Sequence, residues 1–214
     1  SSGDRTVLIT NNDNAYKTAI QLKSLGLSVP AILDIREESN GPLVQEAKNL
    51  GISVRNSKGI SKVIGSGTVK GVRICSQNGE GTTEETIECE TIAMSGGWSP
   101  AVHLWSHCGG KLDWDEKRGI FFPKLDISPI DDKGQKFIFP VGGVLGKSST
   151  KECLETSAAA TLEISKMLGF RDVSIDLPNI SEPAENSVEP VWLIPAGAGS
   201  RLKSQSFLDY QNDV

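Results

Sequence analysis

Apolar positions recur along the chain with two different periods, and the change of period divides it. Thr6-Val7-Leu8-Ile9-Thr10 is an apolar run short enough for a buried strand. Asn11-Asn12-Asp13-Asn14 follows and supplies helix N-cap chemistry. Ala15, Ala19, Leu22 and Leu25 then return at mostly three- and four-residue spacing, which gives a helix one apolar face. Gly26 stands where its C-cap is wanted. Val29-Pro30-Ala31-Ile32-Leu33 reads as a second strand with Asp34 at its end. The pattern predicts a parallel pair joined by a helix, with a right-handed crossover. A second helix offers Leu43, Val44, Ala47 and Leu50 to the core and stops at Gly51, and Ile52-Ser53-Val54 is a short third strand.

From Gly59 to Met94 the period falls to two. Ile60, Val63, Val69, Val72 and Ile74, then Ile87, Cys89 and Ile92, mark short strands, with a turn at Asn78-Gly79-Glu80-Gly81. An antiparallel ribbon therefore interrupts or follows the parallel sheet. Thr91 to Ser95 is a strand running into Gly96-Gly97-Trp98, and Lys136 to Val141 is a strand ending in Gly142-Gly143. Residues 101–136 show no clear period and hold both histidines. A long helix is expected from about Ser149 to Leu168, with Leu154, Ala158, Leu162, Ile164 and Leu168 facing the core and Gly169 as its stop. Residues 176–206 hold four prolines and few apolar clusters, which reads as a linker or extended strap.

Composition narrows the class. Of 214 residues, 37% are apolar, and glycine lifts that to about 47%, ordinary for a globular protein. The net charge of −5 offers no basic stripe for a nucleic-acid backbone, so nucleic acid is not expected as a partner. No apolar stretch is long enough to span a membrane, and Ser1-Ser2-Gly3-Asp4-Arg5 has no apolar signal core. Ser1–Gly3 reads equally as a cloning scar or as native sequence. Cys75, Cys89, Cys108 and Cys153 form no Cys-x-x-Cys pair and are read as buried small hydrophobes in a cytoplasmic protein.

The first strand-turn-helix is where a dinucleotide-binding domain carries Gly-x-Gly-x-x-Gly, because the backbone there must approach a pyrophosphate. Here Thr10 to Ala15 contains no glycine, and Asp13 places a negative charge where phosphate would sit. Asp34 falls where the ribose-binding acid would be. Without the glycines, a solvated strand end is the favoured reading for it. The two later glycine pairs end apolar strands, where ligands of open α/β sheets bind; tight packing against neighbouring backbone explains them equally well. His103 and His107 are four apart beside Cys108, with Asp113, Asp115 or Glu116 as conceivable third ligands. The Gly109-Gly110 pair breaks that helix, so polar packing is favoured over metal. Gly146-Lys147-Ser148 lacks the glycine a phosphate loop needs at position 141.

Four blocks resemble one family. Val7 to Ala19, Ala93 to Leu104, Gly110 to Glu116 and Phe207 to Val214 are similar to the alpha subunit of heterotetrameric sarcosine oxidase. The resemblance implies a Rossmann-like three-layer α/β nucleotide-binding fold of the FAD/NAD-linked disulfide reductase type, with an antiparallel β ribbon. It implies that residues 4–94 are an inserted, degenerate dinucleotide-binding-like domain. Residues 95–170 would be the C-terminal half of a second FAD/NAD-binding-type domain, and 171–214 an extended linker to a following domain. The parent complex oxidises the N-methyl group of sarcosine with FAD, FMN and oxygen, giving glycine and hydrogen peroxide and passing one carbon to tetrahydrofolate. Its partners would be the beta, gamma and delta subunits, with the amine substrate on a partner chain.

The same resemblance implies NAD in the parent alpha subunit, lined here by Gly96, Gly97, Trp98, Gly142 and Gly143. No cofactor is certain for this stretch alone, no catalytic residue is expected, and the isolated piece is expected to be inactive. Reductases of this type end the strand before Gly143 with Gly-Asp, whose acid binds the flavin ribityl chain. The pair here is Gly142-Gly143, so that acid is missing. Two alternatives stay open: a related subunit of an N-methylglutamate or other amine dehydrogenase, and a non-catalytic scaffold with a vestigial nucleotide-binding fold.

Overall fold

The computed structural model describes residues 3–170 and 173–182, and the backbone of 193–195 and 204–206. They fall into two compact units, one of residues 1–97 with 184–214, the other of residues 98–183.

The first unit is built on a parallel sheet. Strands β1 (Thr6–Thr10), β2 (Ala31–Asp34), β3 (Ser53–Asn56) and β7 (Thr91–Ser95) lie in the order β3-β2-β1-β7. Helix α1 (Asn14–Ser24) connects β1 to β2, and α2 (Pro42–Asn49) connects β2 to β3. Between β3 and β7 the chain leaves the sheet as an antiparallel meander, β4 (Lys58–Ser66), β5 (Thr68–Ser76) and β6 (Glu85–Glu88). The two-residue alternation of the strands decides which layer each side chain serves. Leu8 and Ile32 join Ala15, Tyr16, Ala19, Val44 and Ala47 in a core under the helices. Val7, Ile9, Ala31 and Leu33 face the other way, into a second core with Val72, Ile74, Ile87 and Cys89 of the meander. The result is three layers: helices, parallel sheet, antiparallel sheet. Leu50, expected in the core, stands at the C-cap of α2 and is exposed. Two further strands of this unit, β10 (Leu193–Pro195) and β11 (Ser204–Ser206), pair antiparallel. The rest of the linker expected over 171–214 lies largely outside the described residues.

The second unit begins with a short helix α3 (His103–His107) and a hairpin of β8 (Leu112–Asp115) and β9 (Ile120–Pro123). The Trp105 ring is buried, and its Nε1 donates to the Lys111 carbonyl at 2.7 Å. Trp114 and Phe121 meet across the hairpin with ring centroids 4.6 Å apart. A 3-10 turn, Gly142–Leu145, leads to α4 (Thr150–Met167). The Ser149 hydroxyl accepts from the Glu152 amide at 3.2 Å and lies 2.9 Å from the Glu152 carboxylate. The first of these contacts satisfies one helix-start donor, the Glu152 amide.

Two expectations fail here for one physical reason. Residues 136–141 are not a strand; Lys136 makes one isolated bridge to Ile130, and Phe137 is half exposed. Val141 keeps extended dihedrals, but a strand needs a neighbour to receive its hydrogen bonds, and none lies beside it among the described residues. Likewise α4 has no buried residue: Leu154, Ala158, Leu162 and Ile164 are only partly covered and Leu168 is 68% exposed. The periodicity is that of a core-facing helix, yet among the described residues of this unit no sheet covers its apolar face.

Candidate functional site

In an open parallel sheet the binding crevice forms where neighbouring connections run in opposite directions, at the carboxyl ends of the strands. Here that point lies between β1 and β7, since β2 and β3 follow on one side of β1 and β7 returns on the other. The chain at that point is laced to itself. Asn11 Nδ2 donates to the Gly96 carbonyl at 3.0 Å. Asn12 Nδ2 donates to the Ser95 carbonyl and lies equally close to Ser95 Oγ, both at 3.1 Å. Thr10 Oγ1 turns the chain by accepting from the Asn12 amide, and Asn12 Oδ1 accepts from the Asn14 amide at the start of α1. Thr10, Asn11, Asn12 and Asp13 are all buried.

Behind this lacing sits a charged cluster. Asp34, at the end of β2, is completely buried and not a solvated strand end. Its Oδ1 accepts from the Arg36 amide at 3.1 Å and from Arg36 Nε at 2.9 Å. Its Oδ2 accepts from Arg36 Nη2 and from the Tyr16 hydroxyl, both at 2.7 Å. Arg36 Nη2 also lies 2.9 Å from Asp13 Oδ1. Ser39 Oγ stands 3.2 Å from the Tyr16 hydroxyl and accepts from Asn56 Nδ2 at 2.8 Å. Burial alone would make Arg36 easier to deprotonate, but the hydrogen bonds and charge of Asp34, then of Asp13, outweigh it and hold the guanidinium firmly protonated. Burial pushes the Tyr16 phenol up; Ser39 pulls it back, and the Asp34 charge raises it further.

The sequence reading placed Asp34 but missed Arg36, Tyr16, Ser39 and Asn56. One signal was available: a tyrosine on the apolar face of α1 brings a hydroxyl into the core, and such a hydroxyl needs a partner.

The residues singled out for cofactor contact are divided between the units. Gly96 and Gly97 close β7; Gly96 accepts from Asn11, and Gly97 takes φ +93°, which favours glycine. Trp98 is 80% exposed. In the second unit the Gly142 amide donates to Thr156 Oγ1 at 3.0 Å, and at φ +56° an added Cβ would fall 3.2 Å from Cys153 Sγ. Nothing lies within 4 Å of where a Gly143 Cβ would stand. Arg118 anchors the turn from the hairpin side, donating from Nη1 to the Gly146 carbonyl and from Nε to Asp115, both at 2.7 Å. His103 and His107 are exposed on α3. Among the described residues no group of three or more metal-ligating side chains converges, and no helix is long and apolar enough to cross a membrane.

These observations define the fold class: a Rossmann-like, three-layer α/β domain of the disulfide reductase type, followed by a smaller unit. Two solved structures share it. Thioredoxin reductase from T. acidophilum superposes with a TM-score of 0.54 at 17% identity, covering 77% of this chain and 52% of that one. Bacillithiol disulfide reductase from Staphylococcus aureus gives 0.53 at 12%, covering 76% and 51%.

More particularly, the chain is similar almost from end to end to sarcosine oxidase alpha subunits. The subunit from Rhizobium meliloti is 29% identical over 219 aligned residues, covering 99% of this chain and 19% of that protein. The one from Corynebacterium sp. strain U-96 is 26% identical over 218, covering 99% and 22%. The chain thus spans about a fifth of the length of these relatives. No family model matches it.

Such a fold implies a dinucleotide, and the two units differ in how they fit one. The first does not fit one. A carboxylate offers about four lone-pair sites, and all of those on Asp34 are taken by Arg36 and Tyr16. None remains for a ribose hydroxyl. In the second unit the open space at Gly143 fits close approach of a ligand to the main chain, although the acid of the reductase Gly-Asp pair is absent.

Proposed function

We propose that this chain is a stretch of the alpha subunit of a sarcosine oxidase-type amine oxidoreductase, and that its task is to help hold a cofactor in place and not to carry chemistry. The observation behind this reading is the end-to-end similarity to three such subunits. On this reading the complex demethylates sarcosine oxidatively with its FAD and FMN. It releases hydrogen peroxide and glycine and transfers the carbon to tetrahydrofolate. The beta, gamma and delta subunits are its partners, and the amine substrate binds on a partner chain. NAD lies in the alpha subunit against the Gly142-Gly143 turn of the second unit, where main chain without side chains permits close approach.

The test is to purify the intact subunit with its partners and assay sarcosine-dependent peroxide formation, then release bound nucleotide by heat. Sarcosine turnover together with NAD in the supernatant is the expected result. A complex that leaves sarcosine unoxidised, or that yields flavins and no NAD, contradicts the corresponding half of the proposal.

A further inference from the structure

The charged cluster at the end of β1 and β2 has no part in the cofactor reading above, and three features of it point one way. First, it fills the positions a nucleotide would use. The turn before α1 carries Asp13, whose carboxylate stands at the N-terminus of α1, where the backbone amides of a nucleotide-binding helix would meet phosphate. Second, its charge is wrong for phosphate. Asp13 and Asp34 against Arg36 leave a net negative cluster in a buried setting, and a phosphate brought there meets repulsion. Third, it is closed. Arg36 Nη1 is the guanidinium nitrogen with no hydrogen-bond partner among the described residues, and it has no exposed surface through which a phosphate could reach it. The side-chain carboxamides of Asn11 and Asn12, donating to the Gly96 and Ser95 carbonyls, bar the crevice at the strand ends.

We infer that the nucleotide site of the first unit is built shut, with the Arg36 side chain standing in it as an internal ligand. Residues 3–97 bind neither NAD(H) nor NADP(H) and act as a structural module whose shape is fixed by Asp13, Tyr16, Asp34 and Arg36. The guanidinium does for this module what a dinucleotide does for its binding counterparts: it neutralises and positions the groups that converge on the first turn. This inference rests on the side-chain geometry and stands apart from the sarcosine oxidase reading.

The experiment is hydrogen exchange by mass spectrometry on the intact subunit, with and without 1 mM NAD and, separately, NADP. Peptides covering residues 10–16 and 34–36 are expected to exchange at the same rate in all three samples. Several-fold protection of those peptides by either nucleotide overturns the inference. Protection confined to residues 142–146 agrees with it and with the cofactor proposal. No protection anywhere agrees with it and sinks the cofactor proposal, so the two fail separately.

The second arm removes the internal ligand. Arg36→Met strands two buried carboxylates, and the unfolding equilibrium constant should rise by at least about a hundredfold. Arg36→Lys, which keeps the charge but loses the planar fork, is the milder variant should Arg36→Met fail to fold, with a rise of at least about tenfold expected. Unchanged stability in either variant overturns the role given to Arg36.

Discussion

The Arg36 guanidinium grips the Asp34 carboxylate by both oxygens, Nε to Oδ1 at 2.9 Å and Nη2 to Oδ2 at 2.7 Å. Both side chains are almost wholly buried. A planar fork meeting a carboxylate this way gives the strongest geometry an ion pair can adopt. It also uses up the acid that, at the end of the second strand of such a fold, would otherwise hold a ribose.

Asp34→Ala should therefore act on stability and not on ligand affinity. It leaves Arg36 buried with only Asp13 for a countercharge and takes the acceptor from the Tyr16 hydroxyl. Breaking a buried pair from one side costs about 3–5 kcal/mol. Urea denaturation of the chain should register that loss, while the NAD affinity of the intact subunit stays as it was. A weakened NAD affinity in a variant of unchanged stability would restore Asp34 as a ribose ligand.

Tyr16→Phe removes one donor from Asp34 and should cost about 1–3 kcal/mol. The wild type carries a matching pH dependence. The Tyr16 phenol titrates higher in the folded chain than in the unfolded one. Its contribution to stability is complete below the unfolded value near 10 and drains away as pH rises above it, because only the unfolded state then loses the proton. Denaturation curves between pH 9 and 11 should fall more steeply for wild type than for Tyr16→Phe.

The two glycines of the 142–143 turn should respond differently. Gly142→Ala forces a side chain into a left-handed conformation and to within 3.2 Å of Cys153 Sγ, so a loss of about 1 kcal/mol or more is expected. Gly143→Ala meets open space and should be neutral in this chain. In the intact subunit the same Gly143→Ala variant should lower NAD retention if the cofactor approaches there. Equal thermal shifts for both variants would count against this turn geometry.

The cysteines separate into two pairs. Cys75 and Cys89 are buried in the first unit, and burial pushes both thiols up. Cys108 and Cys153, expected buried as well, are partly exposed. Alkylation of the folded chain at pH 8 should therefore mark Cys108 and Cys153 first, with Cys75 and Cys89 slower by about tenfold or more. Four equal rates would mean that the meander side of the first unit opens readily.

What could be read from the chain followed the range of the forces involved. The β1–α1–β2 pattern is local: Val7, Leu8 and Ile9 alternate between two cores, and Ala15 and Ala19 repeat at helical spacing, so period alone located them. Asp34 was misjudged because its fate depends on Tyr16, eighteen positions earlier, and on Arg36 folding back two positions later. No periodicity encodes that. Phe137 to Val141 has strand composition without a strand, since pairing is supplied by a neighbour and not by the segment itself. The glycine pairs were visible as glycines, but which of them meets packed chain and which meets open space emerged only from Cys153 and the emptiness beside Gly143.

The most direct measurement is an experimental structure of the intact subunit at saturating NAD. The expected result is an unbroken Arg36–Asp34 pair, with Asn11 and Asn12 still bonded to Gly96 and Ser95 and no nucleotide against the first turn of α1. A pyrophosphate at that turn, with Arg36 swung away from Asp34, would contradict the claim that this site is built shut.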